Sequence, residues 1–576
     1  MQAPPVVAPA SGANTVSITV RQNRFHVHGP YSLKDRLKAV PGREWDAKAQ
    51  AWTYPATGVC AHGLNIVLQS RLLNVRADPL YAALATGHAA TRAILSGNAQ
   101  LLPIPKSAMV PFQHQTLGWN LLGAGDAAML IWEMGCGKSK TVVDHIVNDP
   151  TCKRVLIVCP LAMVDTWATV QLPLHAGPAM ALIDAVPLGG RSVAGRTSLA
   201  ERAMRMRPDH KVVVIINYQA VWREPFAEWA LAQKWDLIVA DEIHRIKDPK
   251  GRASKFMDRL RPAGRRRVGL TGTPFPHDPL DIYAQMRFLD PGVFGASWSA
   301  FKAYYTVKGG FMGKEVVGYR NQPDLQRRLY SIAHRVTKEE VLDLPPFSHV
   351  SVPVTLSAPA RKLYDQLASN FMADVHGGTI TAANALTRLL RLQQVTGGYA
   401  TIDPVDDPDA PAVAGPATPV QQIVQVDTGK LDALSEIMAD LPPGEPLVVF
   451  CRFVKDMDNV RAAAAANGRT CGNLSGRGND LKAWQAGQYN TLAVQIKSGG
   501  EGVDMTRARY AVFYSLGYSL GEYEQAAARL HRQGQRNAVT YYHLIARDTV
   551  DQKVYQALRA SKNVVRAILE EGLEEK

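Results

Sequence analysis

Five short runs of apolar residues, AAMLIW, VLIVCP, KVVVIINY, WDLIVADE and RRVGLTGT, recur with helix-like stretches between them. A strand with one wet face alternates apolar and polar residues. A strand without alternation is covered on both faces, and that coverage comes from helices packed on either side of a parallel sheet. A second series, LVVFCRF, LAVQIK, YAVFYS and VTYYHLIA, follows nearer the C-terminus. The pattern predicts an α/β chain with two lobes, each built on a parallel sheet. The stretch between the lobes is more helical and irregular, and it holds DPVDDPDAPAVAGPATPVQQ, which reads as a flexible linker.

The expected divisions are a Pro/Ala-rich disordered tail (1–14), a small α+β module (15–57) and a helical connector (58–106). Lobe one (107–290), a helical insertion with the linker (291–426) and lobe two with a C-terminal helix (427–576) follow. In the module, SITV and FHVH alternate as strands, LKDRLKAV reads as a helix and AWTYP as a closing strand.

The net charge is +14 over 576 residues, which favours a polyanionic partner, nucleic acid before membrane. The basic clusters Arg265-Arg266-Arg267 and Arg202, Arg205, Arg207 fit either such a partner or mere solubility. The six cysteines form no C-x-x-C pair and have no histidine at zinc spacing, so a reducing compartment without disulfides or zinc is expected. The N-terminus lacks a signal-peptide pattern, and no run reaches the ~18 apolar residues of a membrane span. A soluble, cytoplasmic protein is expected (nuclear if the cell is eukaryotic).

The first apolar run leads into WEMGCGKSKT. Gly135 and Gly137 let the backbone turn around an anion, Lys138 adds a point charge, Ser139 a hydroxyl for Mg²⁺, and the following helix its N-terminal amides. This is most of a phosphate loop, with Trp132 where the first glycine would stand. WDLIVADEIH ends another buried run in Asp241 and Glu242. Two carboxylates at the carboxyl end of a parallel strand suit a ligand site: Asp241 can hold Mg²⁺ and Glu242 can take a proton from an attacking water. Near the C-terminus, AAARLHRQGQ sets Arg529 and Arg532 three residues apart, one face if the segment is helical. The only specific anion site elsewhere in the chain is the phosphate loop, so the two arginines are expected to be the second lobe's half of that one site.

The ordered set EMGCGKS, DEIHRIKD, LTGTP, SGGEGVDMT and EQAAARLHRQGQ resembles the motifs of Swi/Snf-type ATPases, a branch of the superfamily two helicases. The resemblance covers about Met109 to Val554. It implies two RecA-like lobes, ATP and Mg²⁺ as cofactors, and movement along duplex DNA. It assigns the ATP contacts to Met134, Gly135, Cys136, Gly137, Lys138 and Ser139, and metal binding to Ser139 and Asp241. Asp241 and Glu242 become the Walker B pair. His244, Thr271, Gly272 and Thr273 couple hydrolysis to lobe movement. Trp167, in VCPLAMVDTW, and Lys247 are assigned to DNA. In lobe two, Gly500, Gly502 and Asp504 match a glycine-rich loop, and Gln525, Arg529 and Arg532 the last motif. Gly502, Asp504 and Gln525 are assigned to the nucleotide side, and Arg532 is favoured over Arg529 at the γ-phosphate. PFQHQTLGW resembles the adenine-reading segment, with Gln113 favoured by spacing and Gln115 as the alternative. Lys430 marks the entry to lobe two.

The sequence departs from the family at Trp132, Asp248, Asp504 and Pro276-His277-Asp278, none of which removes a catalytic group. GPYSLKDRLKAVPGREWDAKAQAWTYP resembles the HARP module of annealing helicases, which implies recognition of branched DNA, with Trp45 and Trp52 as stacking candidates against a role as small-domain core. The resemblance implies a DNA-dependent ATPase that remodels or reanneals branched DNA. A strand-separating DNA or RNA helicase is the near alternative, and a nucleic-acid adaptor with a dead ATPase site the distant one. Implied partners are duplex or branched DNA and replication or repair proteins, with no membrane, and the protein is expected to be a monomer.

Overall fold

A computed structural model describes residues 14–70, 72–190, 192–207, 209–276, 278–309, 315–341, 343–376, 382–402, 422–496 and 503–570. The expected disordered tail and the acidic linker therefore fall almost entirely outside the described residues. The chain divides into two units, one of Met1–Leu342 with Val564–Lys576 and one of Asp343–Asn563. Both are α/β, as the apolar runs predict.

The first unit opens with strands β1 (Thr15–Arg21), β2 (Arg24–His28), β3 (Glu44–Asp46), β4 (Ala51–Pro55) and β5 (Asn74–Ala77), in the sheet order β3-β4-β2-β1-β5. The helix Gly58–Leu68 covers this sheet, and Cys60, Ala61, Leu64 and Leu68 join Val16, Phe25, Val27 and Tyr54 in its core. The small module is thus larger than the expected 15–57. Its fifth strand, NVRA, is exposed at all four positions, so it carries no hydrophobic period that a sequence reading could find.

The main sheet of this unit contains β6 (Ala127–Trp132), β7 (Arg154–Cys159), β8 (Ile183–Pro187), β9 (Lys211–Asn217), β10 (Trp235–Asp241) and β11 (Gly264–Thr271). After a hairpin of β12 (Thr306–Gly309) and β13 (Glu315–Tyr319), the chain returns with β14 (Ala333–Val336). The order is β14-β6-β11-β10-β7-β9-β8, with every pairing parallel. One apolar core lies on each face of it.

The second unit contains β15 (Phe347–Val354), the hairpin β16 (Tyr399–Ile402) and β17 (Gln422–Gln425), then β18 (Leu447–Cys451), β19 (Cys471–Ser475), β20 (Gly478–Asn479), β21 (Thr491–Gln495), β22 (Tyr510–Phe513) and β23 (Val539–Ala546). Its sheet runs β15-β23-β22-β18-β21-β19-β20, parallel except at β19–β20. The segment expected as a single insertion, 291–426, is divided: β14 completes the first sheet and β15 the second. Both are edge strands, and β15 is exposed at most positions, which hides them from a search for buried runs. Lys430 is buried and pairs with Asp551 at 2.6 Å, while its ammonium also donates to the Tyr514 carbonyl. It locks the second unit internally.

The Arg265-Arg266-Arg267 cluster is consumed inside the fold. Arg265 donates to Thr151, Arg266 pairs with Asp149, and buried Arg267 pairs with Asp126 at 2.6 Å. Arg267 also donates to the Leu289 and Gly264 carbonyls. Asp126 and the buried Asp290 accept the Gly58 and Val59 amides at the start of the module's helix. This fastens the module to the end of the sheet where β6 begins. Burial, then the neighbouring Asp126 carboxylate, pushes the Asp290 carboxyl up to about 6.

Removing Arg267 leaves buried carboxylates without their cation, a loss of about 3–5 kcal/mol. Arg267→Ala is therefore expected to lower the urea midpoint at pH 7.5, followed by tryptophan fluorescence. A raised carboxyl pKa favours the fold below the unfolded value and loses that contribution as pH rises through the folded value. The deficit of the variant should therefore shrink at pH 5, where Asp290 takes up a proton. An unchanged midpoint would show that Arg267 carries no structural load.

Candidate functional site

Polar function in the first sheet gathers where β6, β10 and β11 end. β6 is buried throughout and delivers the chain into a loop whose Gly135 and Gly137 have φ of +97° and +85°. Side chains rarely adopt this left-handed region, so glycine is required. At Gly137 there is also no room: a Cβ would meet Gln115 Nε2 at 2.2 Å. The helix Lys138–Asn148 follows directly, so its first amides face the loop.

The loop is braced from below by the start of the helix Gln113–Ala124. His114 Nε2 donates to the Cys136 carbonyl at 2.7 Å and Gln115 Nε2 to the same oxygen at 3.3 Å. Gln115 Oε1 accepts from the Phe112 amide. Gln115 is thereby committed to the loop, while Gln113 is exposed at the head of the helix. Of the two adenine-reading candidates, Gln113 is the one whose side chain is accessible. Trp132 is not a misplaced loop residue. It is the last residue of β6, fully buried, packed edge-on to His114 and donating to His334 Nδ1 at 3.1 Å. Cys136 is buried, and burial pushes its thiol up to about 11, so it acts as a filler.

Lys138 turns its ammonium onto the Trp132 carbonyl at 2.8 Å and the Glu133 carbonyl at 3.4 Å. Ser139 stands half-buried in the first helical turn, and Met134 half-buried in the loop. Gly272, just after β11, lies against the same loop: a Cβ there would meet the Trp132 carbonyl at 3.3 Å and the Met134 amide at 3.5 Å.

Asp241 ends β10. Its Oδ1 accepts the Glu242 amide at 3.1 Å, and its carbonyl accepts the Tyr218 hydroxyl at 2.8 Å. Its Oδ2 accepts the Trp167 indole N–H at 2.7 Å. This corrects the expectation that Trp167 meets DNA, because the side chain is fully buried and spent on Asp241. Glu242 sits at φ +50°, a strained position for a non-glycine residue and one that clusters at functional sites. His244 Nδ1 lies 3.2 Å from Glu242 Oε2 and 3.0 Å from Thr271 Oγ1. The Thr271 hydroxyl donates to Glu242 Oε2 at 3.4 Å and accepts the Thr273 amide at 3.1 Å. Burial raises the Glu242 carboxyl, but the His244 hydrogen bond and charge, with Lys138 and Arg245, outweigh it and hold the group below its ordinary value. Lys247 follows half-buried. Ser139 and Asp241 offer hard oxygen donors, which fits a Mg²⁺ completed by phosphate and water.

In the second unit, Gly500 and Gly502 lie outside the described residues. Asp504 is exposed, and its Oδ1 accepts the Thr506 amide and hydroxyl. Gln525 is half-buried on the helix Leu520–Ala527. That helix ends before the arginines, so Arg529 and Arg532 do not share a helical face as their spacing suggests. They stand in the tight turns that follow, Arg529 buried and Arg532 half-buried. Gln535, which the sequence reading passed over, staples these turns: its amide donates to the Thr506, Ala508 and Leu530 carbonyls. In the N-terminal module, Trp45 is 53% exposed and stacks edge-on against half-buried Trp52, its cross-strand partner, at 5.1 Å.

The SNF2-related domain family matches residues 112–397, and the helicase conserved C-terminal domain family matches residues 429–534. The chain is 23% identical over 459 residues to chromodomain-helicase-DNA-binding protein 1-like of Danio rerio, covering 76% of this chain and 42% of that one. It is 24% identical over 492 residues to putative protein p41 of Acyrthosiphon pisum secondary endosymbiont phage 1, covering 81% of this chain and 98% of that one. Among solved structures, the Sulfolobus solfataricus SWI2/SNF2 ATPase core in complex with dsDNA is similar at 20% identity and a TM-score of 0.38, covering 83% of this chain and 98% of that one. The chain thus spans less than half of the fish relative and nearly all of the phage one. Among the described residues, no helix is long and apolar enough to cross a membrane.

A carboxylate acting as base must be ionised, so a lowered carboxyl pKa keeps it competent until pH falls through that value. If Glu242 is such a base, the acidic limb of ATP hydrolysis is expected below the ordinary glutamate range. In His244→Asn the groups opposing burial are weakened, and the acidic limb of the rate profile should move to higher pH. Coincident limbs for the two proteins would remove Glu242 from the base role.

Proposed function

The chain belongs to the SNF2-related, helicase-like ATPases, and from that premise we propose that it is a DNA-dependent ATPase that translocates on duplex DNA and remodels or reanneals branched DNA. The observation that carries the reading is the convergence of Lys138, Asp241, Glu242 and Thr271 on one braced glycine loop. A nucleic-acid adaptor with a dead site would have no reason to keep this set.

In this reading Gly135 to Ser139 hold the phosphates with main-chain amides, and the Lys138 ammonium leaves its carbonyl partners for phosphate oxygens. Ser139 and Asp241 would hold a Mg²⁺, which would supply neutralisation of phosphate charge. Glu242 accepts the proton of the attacking water, and His244 and Thr271 hold its carboxylate in place. Gln113 reads the adenine. Arg532, or Arg529, adds positive charge at the γ-phosphate, a contribution worth ~10³–10⁵ in rate in other phosphoryl-transfer systems. In this reading DNA favours the conformation of the chain that hydrolyses ATP. Gly502, Asp504 and Gln525 serve the same nucleotide side.

Contacts to DNA are expected mainly at phosphates, from residues such as Lys247, so binding should be salt-sensitive and weakly sequence-specific. Trp45, exposed on its edge hairpin, offers a face for an unpaired base, with Trp52 supporting it from behind. This favours forked or branched DNA over blunt duplex and stands as the basis for the HARP-like reading of the module. Replication or repair proteins are the expected partners of such an activity.

The reading is tested by ATPase titration with single-stranded, duplex and forked DNA and with RNA. The rate should rise with duplex or forked DNA; equal rates with and without DNA would sink the coupling. Lys138→Ala should cut turnover about 10²-fold or more, with the unfolding midpoint retained. Trp45→Ala should lower the preference for forked over blunt duplex by about tenfold, in line with ~1–3 kcal/mol per stacked base. An unaltered preference would make the Trp pair structural.

A further inference from the structure

We infer that Trp167 is a positioning residue for the metal ligand Asp241, and that its indole N–H sets the affinity of the site for Mg²⁺. The inference rests on the ATPase reading above and deepens it.

The observation is one hydrogen bond between residues 74 positions apart, Trp167 Nε1 to Asp241 Oδ2 at 2.7 Å, with the indole fully buried. That length falls in the short range typical of a donor facing an ionised carboxylate. The torsion that swings an aspartate carboxylate about its own axis is soft, because a tetrahedral-to-planar bond has no sharp minima. A donor on each oxygen removes this freedom. The Glu242 amide holds Oδ1, and it comes from the next residue along the chain. The Trp167 indole holds Oδ2 from a separate element, and the Tyr218 hydroxyl fixes the main chain behind them. Indole is a donor only, so it cannot compete for the metal. It leaves the carboxylate its charge and its remaining acceptor capacity.

A buried tryptophan N–H usually finds an acceptor, and at two other positions in this unit that acceptor is neutral. Trp235, equally buried, donates to the Ala230 carbonyl at 2.9 Å, and Trp132 donates to His334. Trp167 alone of these three takes a carboxylate, and it takes the one at the phosphate loop. Its backbone setting is also unusual. The helix Leu161–Thr166 changes at Trp167 into a π-turn, Trp167–Gln171, before continuing as Leu172–Ala176. Such wide turns occur mostly as single-turn insertions within α-helices, frequently at functional sites. Here the insertion begins at the residue that reaches Asp241.

Partners that orient metal ligands typically cost 10–100-fold in metal affinity when removed. The test uses the full-length protein and a fluorescent ATP analogue whose binding is followed as Mg²⁺ is raised. Trp167→Phe keeps the bulk and deletes the N–H. It should raise the half-saturating Mg²⁺ concentration by about 10–100-fold, with binding recovered at high Mg²⁺. Trp235→Phe loses a comparable buried indole bond away from the site and should keep the wild-type Mg²⁺ requirement. A wild-type requirement in Trp167→Phe overturns the inference. If that variant proves unfolded, Trp167→His and Trp167→Leu carry the same comparison, since only the histidine retains a ring N–H; equal requirements in the two overturn it as well. Absence of any Mg²⁺-dependent nucleotide binding in the wild type would overturn the ATPase reading itself, and the inference with it.

Discussion

A parallel strand covered on both faces has nowhere to put a polar side chain except its ends. The first sheet obeys this constraint, and most of the first unit's chemistry follows from it. β6, β7, β9 and β10 are apolar along nearly their whole length. At their carboxyl ends stand the glycine loop, Asp241 and, on β11, Thr271. At the opposite end stands the Asp126, Arg267 and Asp290 cluster that fastens the N-terminal module. The two ends do different work. Crevices at the carboxyl ends of parallel strands are where α/β proteins bind ligands. The amino ends face no helix N-terminus of the crossover kind, and here they serve as a docking surface.

Both ends must also solve the same electrostatic problem, a carboxylate with little access to water. They solve it with different donors. At the docking end the donor is a permanent cation, Arg267, which neutralises Asp126 and leaves no charge to spare. At the loop end Asp241 accepts from neutral N–H groups of Trp167 and Glu242. A neutral donor orients a carboxylate without cancelling its charge. The distinction also separates the arginine run 265–267, which is spent within the fold, from Lys138, whose ammonium donates to the main-chain carbonyls of Trp132 and Glu133.

The legible part of the fold was the buried part. Central strands announce themselves as uninterrupted apolar runs, and the order of the motifs follows from where those runs end. Edge strands do not. NVRA in the module, AHRV beside β6 and FSHVSVPV in the second unit lack burial on one or both faces, so their pairing rests on backbone hydrogen bonds that leave no pattern in side chains. The site shows the same division. Lys138, Asp241, Glu242 and Thr271 sit at the ends of legible strands and come together. Trp167 was assigned to DNA from the resemblance of VCPLAMVDTW to a family motif, and a motif match does not fix which way a side chain points. A π-turn adds a residue to one turn and rotates everything at it, and no feature of VCPLAMVDTW signals the insertion. The bracing role of His114 and Gln115 was equally hidden, since PFQHQ identifies a polar head to a helix without saying which amide faces the loop.

The arginine segment of the second unit shows how motifs far apart in sequence become one mechanical piece. The Met505 amide donates to the Arg529 carbonyl at 3.1 Å, and Arg532 Nη1 reaches the Val503 carbonyl at 3.4 Å. Gln535 then ties both turns together through the Thr506 and Ala508 carbonyls, and its own Oε1 accepts the Arg536 and Asn537 amides. A buried side-chain amide with every polar atom engaged ties the turn segments 503–508 and 529–537 to one another. The helix Leu520–Ala527 stops short of the arginines, which stand in turns hydrogen-bonded to residues 503–508.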